Sequence, residues 1–73
     1  MILGLQGKYG DEEGYVDKGL MLDPNNSWEW GAKGNIDEFK GDKAATIFDY
    51  KKAIKLNTNN IPALKALHRL EHP

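Results

Sequence analysis

The chain has 73 residues, no cysteine and a formal net charge of −1, so it makes one small domain without a disulfide framework or a thiolate metal cage. Its apolar opening, residues 1–5, is short and has no basic segment before it, so we do not interpret it as a signal peptide. No apolar run reaches membrane-spanning length, and we expect a soluble protein, cytoplasmic by default, that contacts no membrane.

The charge is unevenly distributed along the chain. Residues 1–39 carry a net charge of −5, whereas residues 40–73 carry +4. Two solvated helix faces of opposite sign would explain this, and so would contact between the acidic half of one molecule and the basic half of another. There is no excess of basic residues with interleaved aromatics, so we expect no nucleic-acid partner.

The first 26 residues predict two helices. A glycine-rich segment, residues 7–10, is expected to end a short helix formed by residues 1–6. Asp11 can cap a second helix that runs to about Leu22, and residues 23–26 (Asp-Pro-Asn-Asn) then form a turn.

Three further helices are expected in the rest of the chain. Asn26 or Ser27 caps the first of them, and the Gly41-Asp42 pair ends it and caps the next, roughly 43–56. The turn 57–60 precedes a last helix that extends to about residue 71. In the helix over 43–56, two apolar stripes predict two packing faces; they are Ala44, Ile47, Phe48 and Ile54, and Thr46, Tyr50 and Ala53.

The chain also resembles itself at a shift of 34 residues. Identical residues fall on one another in seven places, and other pairs keep their chemistry, such as Leu20 with Ile54. A fixed period of this size is typical of repeat proteins, in which each unit buries its apolar face against the next. The identical pairs are Ile2/Ile36, Gly7/Gly41, Lys18/Lys52, Leu22/Leu56, Asn25/Asn59, Asn26/Asn60 and Ala32/Ala66.

These features resemble the tetratricopeptide repeat, a 34-residue helix-turn-helix unit. The match is best over residues 27–60, where Trp30 and Gly34 stand at the opening tryptophan and the small crossing position. Residues 1–26 resemble a degenerate partial unit, and residues 61–73 the first helix of another. The resemblance implies one all-α domain of antiparallel helix-turn-helix repeats, a short alpha solenoid.

Several residues depart from the pattern of the family. Lys33 and Asp37 replace an expected leucine and aromatic residue, and Thr58 replaces the terminal proline. Glu12 stands at the small buried position that Thr46 fills one unit later. Because an unpaired buried carboxylate is costly, this seam is either open to water or paired, for example with a lysine.

The resemblance also implies a concave groove lined by the first helices of successive units. Small side chains there leave room for a peptide, an asparagine can bond its backbone, and two basic residues could hold a carboxylate. Trp28 and Phe39 could instead pack in the core, and Lys65 and Arg69 could be a solvated face. The candidate partner-binding residues are Trp28, Ala32, Asn35, Phe39, Lys65 and Arg69, with Gly31 and Ala66 beside them.

One motif suggests metal chemistry. Residues 68–72 fit the H-x-x-E-H pattern of a zinc peptidase class, with His68 and His72 as ligands and Glu71 as base. Such a site needs a third ligand and a supporting shell, so we expect no catalytic residue, no metal and no cofactor here, beyond adventitious binding of zinc or nickel.

The sequence therefore predicts a module that is not an enzyme and that binds a peptide or protein partner through the groove. Its incomplete units should expose apolar helix faces, which predicts a homo-oligomer formed by stacking or by exchange of a terminal helix. The alternative is a purely structural element whose role is self-assembly or the capping of a larger complex.

Overall fold

A computed structural model describes residues 2–73 of the chain, with side chains from residue 10 onward. It contains four α-helices and, within these described residues, no strand. The helices are α1 (Ile2–Leu22), α2 (Ser27–Lys40), α3 (Lys43–Leu56) and α4 (Ile61–Glu71). The predicted all-α fold class is confirmed.

The predicted break near the start of the chain is wrong, because α1 runs without interruption through residues 7–10. Asp11 therefore lies inside a helix and does not cap one. A glycine in a helix interior costs only about 1 kcal/mol relative to alanine, and this segment has neither a proline nor a left-handed residue to stop the helix.

The other three helices begin where the sequence predicted. Asn26, Asp42 and Asn60 are their N-caps, and each side chain accepts a hydrogen bond from a backbone N–H in the first turn. Gly41 ends α2 in the left-handed conformation (φ 85°), with its N–H bonded to the carbonyls of Asp37 and Glu38. A side chain at residue 41 would be strained in this conformation.

Helices that follow one another in the chain pack against one another, α1 on α2, α2 on α3 and α3 on α4. The main buried cluster joins α3 and α4, where Tyr50, Ala53 and Ala63 are almost completely buried, and Val16 of α1 and Ile36 of α2 are buried as well. Thr46 is also buried, which confirms the predicted packing face of Thr46, Tyr50 and Ala53. The second stripe packs only in part, because Phe48 is 62% exposed.

The 34-residue period is visible in the backbone of the two turns between helices. In each turn, the third residue donates its N–H to the side chain of the first, over 3.1 Å at Asn25 and 3.0 Å at Asn59. The fourth residue of each, Asn26 or Asn60, bonds the carbonyl of the first and then caps the following helix. Residues 23–26 and 57–60 are therefore structural equivalents.

Trp30 fixes the start of α2 against its neighbours. Its indole Nε1 donates to the carbonyl of Pro24 over 2.8 Å, and its ring meets Phe48 edge-on with centroids 6.0 Å apart. Lys52 places its ammonium group 5.9 Å from the same ring. These contacts tie the turn before α2 to the outer face of α3.

Candidate functional site

Two cavities flank α2, and the small Ala32 and the polar Asn35 line both of them. The smaller, of about 140 Å³, lies between α2 and α4 with Tyr50 of α3 among its lining residues. Trp28 lines this cavity and is 58% exposed. The chain therefore presents a concave surface along α2, and four of the six predicted partner-binding residues, Trp28, Ala32, Asn35 and Phe39, lie on it.

The larger cavity, of about 410 Å³, is a cleft between α1 and α2. Its α1 side consists of Glu12, Tyr15 and Val16, and Phe39 lies on its α2 side. Glu12 is exposed here. The two alternatives for this position were a seam open to water and a paired carboxylate, and the structure has the open seam.

A hydrogen bond from α3 orients the side chain of Asn35. The Tyr50 hydroxyl donates to Asn35 Oδ1 and also lies 3.3 Å from a carboxylate oxygen of Glu38. Burial, and next the negative charge of Glu38, raise the pKa of Tyr50 to about 12, so this hydroxyl remains a donor at neutral pH. With Oδ1 occupied, the amide NH2 of Asn35 is the group left to bond a ligand carbonyl.

The two predicted basic residues of the groove differ in their surroundings. Arg69 on α4 forms an ion pair with Glu38 on α2, with 2.6 Å between Nη2 and Oε2. Lys65 is exposed on α4 and lines none of the cavities along α2. Arg69 therefore joins the two helices that form the groove, and a ligand carboxylate would have to compete with Glu38 for it.

Two buried carboxyl groups face each other between α2 and α3. Asp49 is 2% exposed and Asp37 7% exposed, and their side chains are within hydrogen-bonding reach. Burial, and next the hydrogen bond with Asp37, raise the pKa of Asp49 to about 8. A protonated Asp49 can donate to Asp37, whereas two ionised carboxylates here would repel each other. Among the described residues, Asp49 Oδ2 is buried without a hydrogen-bond partner.

The pair includes one of the residues that depart from the pattern of the resembled repeat. Asp37 stands where that resemblance implies an aromatic residue, and this difference was the only signal in the sequence. Nothing in the sequence indicated that Asp49 would face it. Lys33, the neighbouring departure, is half-buried and pairs with Asp17 of α1 over 3.6 Å.

The histidines at the end of α4 lie together on one side of the helix. The rings of His68 and His72 have centroids 4.5 Å apart. Within the described part of the chain, no group of three or more His, Cys, Asp or Glu side chains could hold a metal ion. No described helix is both long and apolar enough to cross a membrane.

Comparisons with known proteins add no family. The sequence matches no protein-family model, and no curated protein matches it. The class of the protein therefore comes from its own architecture, which is an all-α protein of successive packed helices whose turn and helix cap recur after 34 residues.

Proposed function

We propose that the protein is a protein-interaction module that binds a segment of a partner protein along the concave surface of α2. The observation that carries this proposal is the arrangement on that surface, where Asn35, oriented by Tyr50, lies beside a cavity that small residues leave open. The family resemblance of the sequence supports the same kind of function.

The geometry favours a peptide with one apolar anchor. A cavity of about 140 Å³ is close in size to the engineered cavity of about 150 Å³ that binds benzene. It therefore accepts one branched aliphatic or phenyl group. The exposed ring of Trp28 would cover an apolar side chain, and the NH2 group of Asn35 would bond a backbone carbonyl of the peptide.

Selection of binding peptides from a displayed random library, with the protein as the target, tests this proposal. We expect enriched peptides to share an apolar anchor, and fluorescence anisotropy would measure their affinity. Asn35→Ala should weaken binding about ten-fold through the loss of one hydrogen bond. Ala32→Gln, which places a larger side chain at the cavity, should abolish peptide binding.

The matched control is Ala44→Gln, which makes the same change at an exposed alanine of α3. It should leave binding unchanged. A library that yields no peptide above background, or peptides whose affinity is the same for Ala32→Gln and Ala44→Gln, would refute a receptor role for this surface.

A further inference from the structure

The α1 side of the cleft between α1 and α2 corresponds to a surface of α3 that is buried within the same chain. Its three α1 residues, at positions 12, 15 and 16, correspond through the 34-residue period to Thr46, Asp49 and Tyr50 of α3. All three counterparts are at most 2% exposed, whereas Glu12 is exposed and Tyr15 is 77% exposed; Val16, at 8%, forms the base of the cleft. The counterparts are buried where α2 packs on α3. By equivalence, this surface of α1 can accept a helix that resembles α2.

The chain carries a second helix of that type. Residues 61–71 of α4 correspond to 27–37 of α2, and both helices begin at an equivalent asparagine cap. On α2, Ser27 and Trp30 face α3, and Ser27 is 7% exposed. Their counterparts on α4, Ile61 and Leu64, are 50% and 37% exposed. The start of the α4 face that corresponds to the packed face of α2 is therefore apolar and open.

The sizes of the residues on the two surfaces are complementary. Within the chain, Gly34 of α2 packs on the large ring of Tyr50. Between copies, the same two positions are His68 on α4 and the smaller Val16 on α1. At both contacts a large residue meets a small one, with the roles exchanged.

The polar contacts and the charge agree with this docking. The buried pair Asp37 and Asp49 corresponds to Glu71 of one copy and Tyr15 of another, a carboxylate acceptor and a phenol donor. The half of the chain that contains α1 carries −5, and the half that contains α4 carries +4. Docking α4 on α1 brings these halves together, and the attraction weakens as salt is added.

We propose that α4 of one copy docks in the cleft between α1 and α2 of a second copy, so that the copies assemble head to tail. The two surfaces are different, so the contact is heterologous and repeats along an open chain or closes into a ring. Every copy adds its α2 and α4 to one continuous concave surface. The inference does not depend on peptide binding in the smaller cavity, because the α1 residues that accept α4 line only the larger cleft.

Two variants, each blocking one of the two surfaces, test the proposal. Tyr15→Glu places a carboxylate in the cleft opposite the Glu71 carboxylate of the docking copy, and Ile61→Glu places one on the docking face of α4. Both side chains are at least half exposed, so each variant should keep its helical circular dichroism. An acidic residue is also favourable in the first turn of a helix.

Sedimentation velocity over a concentration series should show assemblies of the wild type, at low salt, that shorten as salt is raised. Each variant alone should be monomeric. An equimolar mixture should form a one-to-one dimer and nothing larger, because one intact cleft and one intact α4 face remain. The controls Met21→Glu, at an 85% exposed residue of α1, and Thr58→Glu, in an exposed turn, make the same charge changes and should assemble like the wild type.

Three outcomes would overturn the proposal. They are a wild type that stays monomeric at high concentration and low salt, a mixture that contains only monomers, and a closed dimer that Tyr15→Glu does not disturb. The last result would indicate exchange of α4 between the cores of two copies. Peptide binding to the monomeric Tyr15→Glu variant would still be measurable, so the two proposals fail separately.

Discussion

Gly34 of α2 lies so close to Tyr50 of α3 that a methyl group at residue 34 would come within 2.7 Å of the tyrosine ring. Real contacts of a Cβ atom are longer, so a side chain there would force the two helices apart. Tyr50 is 2% exposed and belongs to the core, so it has no room to withdraw. The absence of a side chain at Gly34 therefore sets the distance between α2 and α3.

Replacing this glycine should destabilise the protein. We expect Gly34→Ala to lower the free energy of unfolding by about 1–2 kcal/mol, because the overpacking costs more than the gain in helix propensity. Gly31→Ala is the matched control on the same helix, since its methyl group would lie 3.8 Å from the nearest atom, Asn60 Nδ2. It should stabilise the protein by up to about 1 kcal/mol. Urea unfolding measures both, and equal effects at the two sites would contradict this account.

The two equivalent helix caps should differ in strength. Asn26 and Asn60 both accept backbone N–H bonds, but the amide group of Asn60 also donates to Ser27 Oγ over 2.8 Å inside the protein. Asn26→Ala should cost about 1 kcal/mol, the usual value of a cap. Asn60→Ala should cost about 1 kcal/mol more, because a buried hydrogen bond is lost with the cap.

Thermal unfolding followed by circular dichroism checks this difference. In a domain of this size, 1 kcal/mol shifts the Tm by about 4–8 °C, so the two alanine variants should be clearly separated. Ser27→Ala in the Asn60→Ala background tests the cause. If the extra cost comes from the bond to Ser27, Ser27→Ala should lower the Tm by less in this background than it does in the wild type.

The sequence predicted α2, α3 and α4 well because their ends are specified locally. An asparagine or aspartate stands at each start, and Gly41 ends α2, so the signals need no knowledge of the tertiary structure. The start of α1 was mispredicted because a glycine stops a helix only where the backbone turns left-handed. Of the glycines the structure describes, Gly41 alone does so.

The candidate site was predicted only in part, for a similar reason. The helical period places Trp28, Ala32 and Asn35 on one face, and this follows from the sequence alone. That Asn35 is held by Tyr50, and Arg69 by Glu38, depends on how α2 packs against α3 and α4. Partners on different helices follow from packing, which no local pattern encodes.

Tyr50→Phe should affect both stability and binding. The hydroxyl bonds Asn35, and its removal should cost about 1 kcal/mol while the ring still fills the space above Gly34. Asn35 then loses the contact that orients its amide, so the affinity for a peptide selected on the concave surface should fall as well. Glu38 keeps its ion pair with Arg69, so the junction of α2 and α4 should persist.

The control for binding is Tyr15→Phe, which removes the hydroxyl of an exposed tyrosine outside the smaller cavity. It should leave both stability and peptide affinity unchanged. Unaltered affinity in Tyr50→Phe would show that Asn35 does not need this hydrogen bond.

The buried pair of Asp37 and Asp49 should make stability depend on pH. The folded state raises the pKa of Asp49 from its ordinary value of 3.8 to about 8, so it keeps a proton that the unfolded chain releases above about pH 4. The unfolded chain then binds fewer protons than the folded one, and stability falls as pH rises. The loss should run from about pH 4 to about pH 8 and level off above pH 8.

Asp49→Asn tests this dependence directly. The amide has nearly the same shape, carries no charge and can donate to Asp37 at any pH, so the variant should lose most of the slope between pH 4 and pH 8. Above pH 8 it should be more stable than the wild type, because it avoids two adjacent buried carboxylates. Asp11→Asn makes the same change at an exposed position of α1 and should retain the slope of the wild type. Parallel curves of Tm against pH for the Asp49→Asn variant and the wild type would show that Asp49 is not the group that holds the proton.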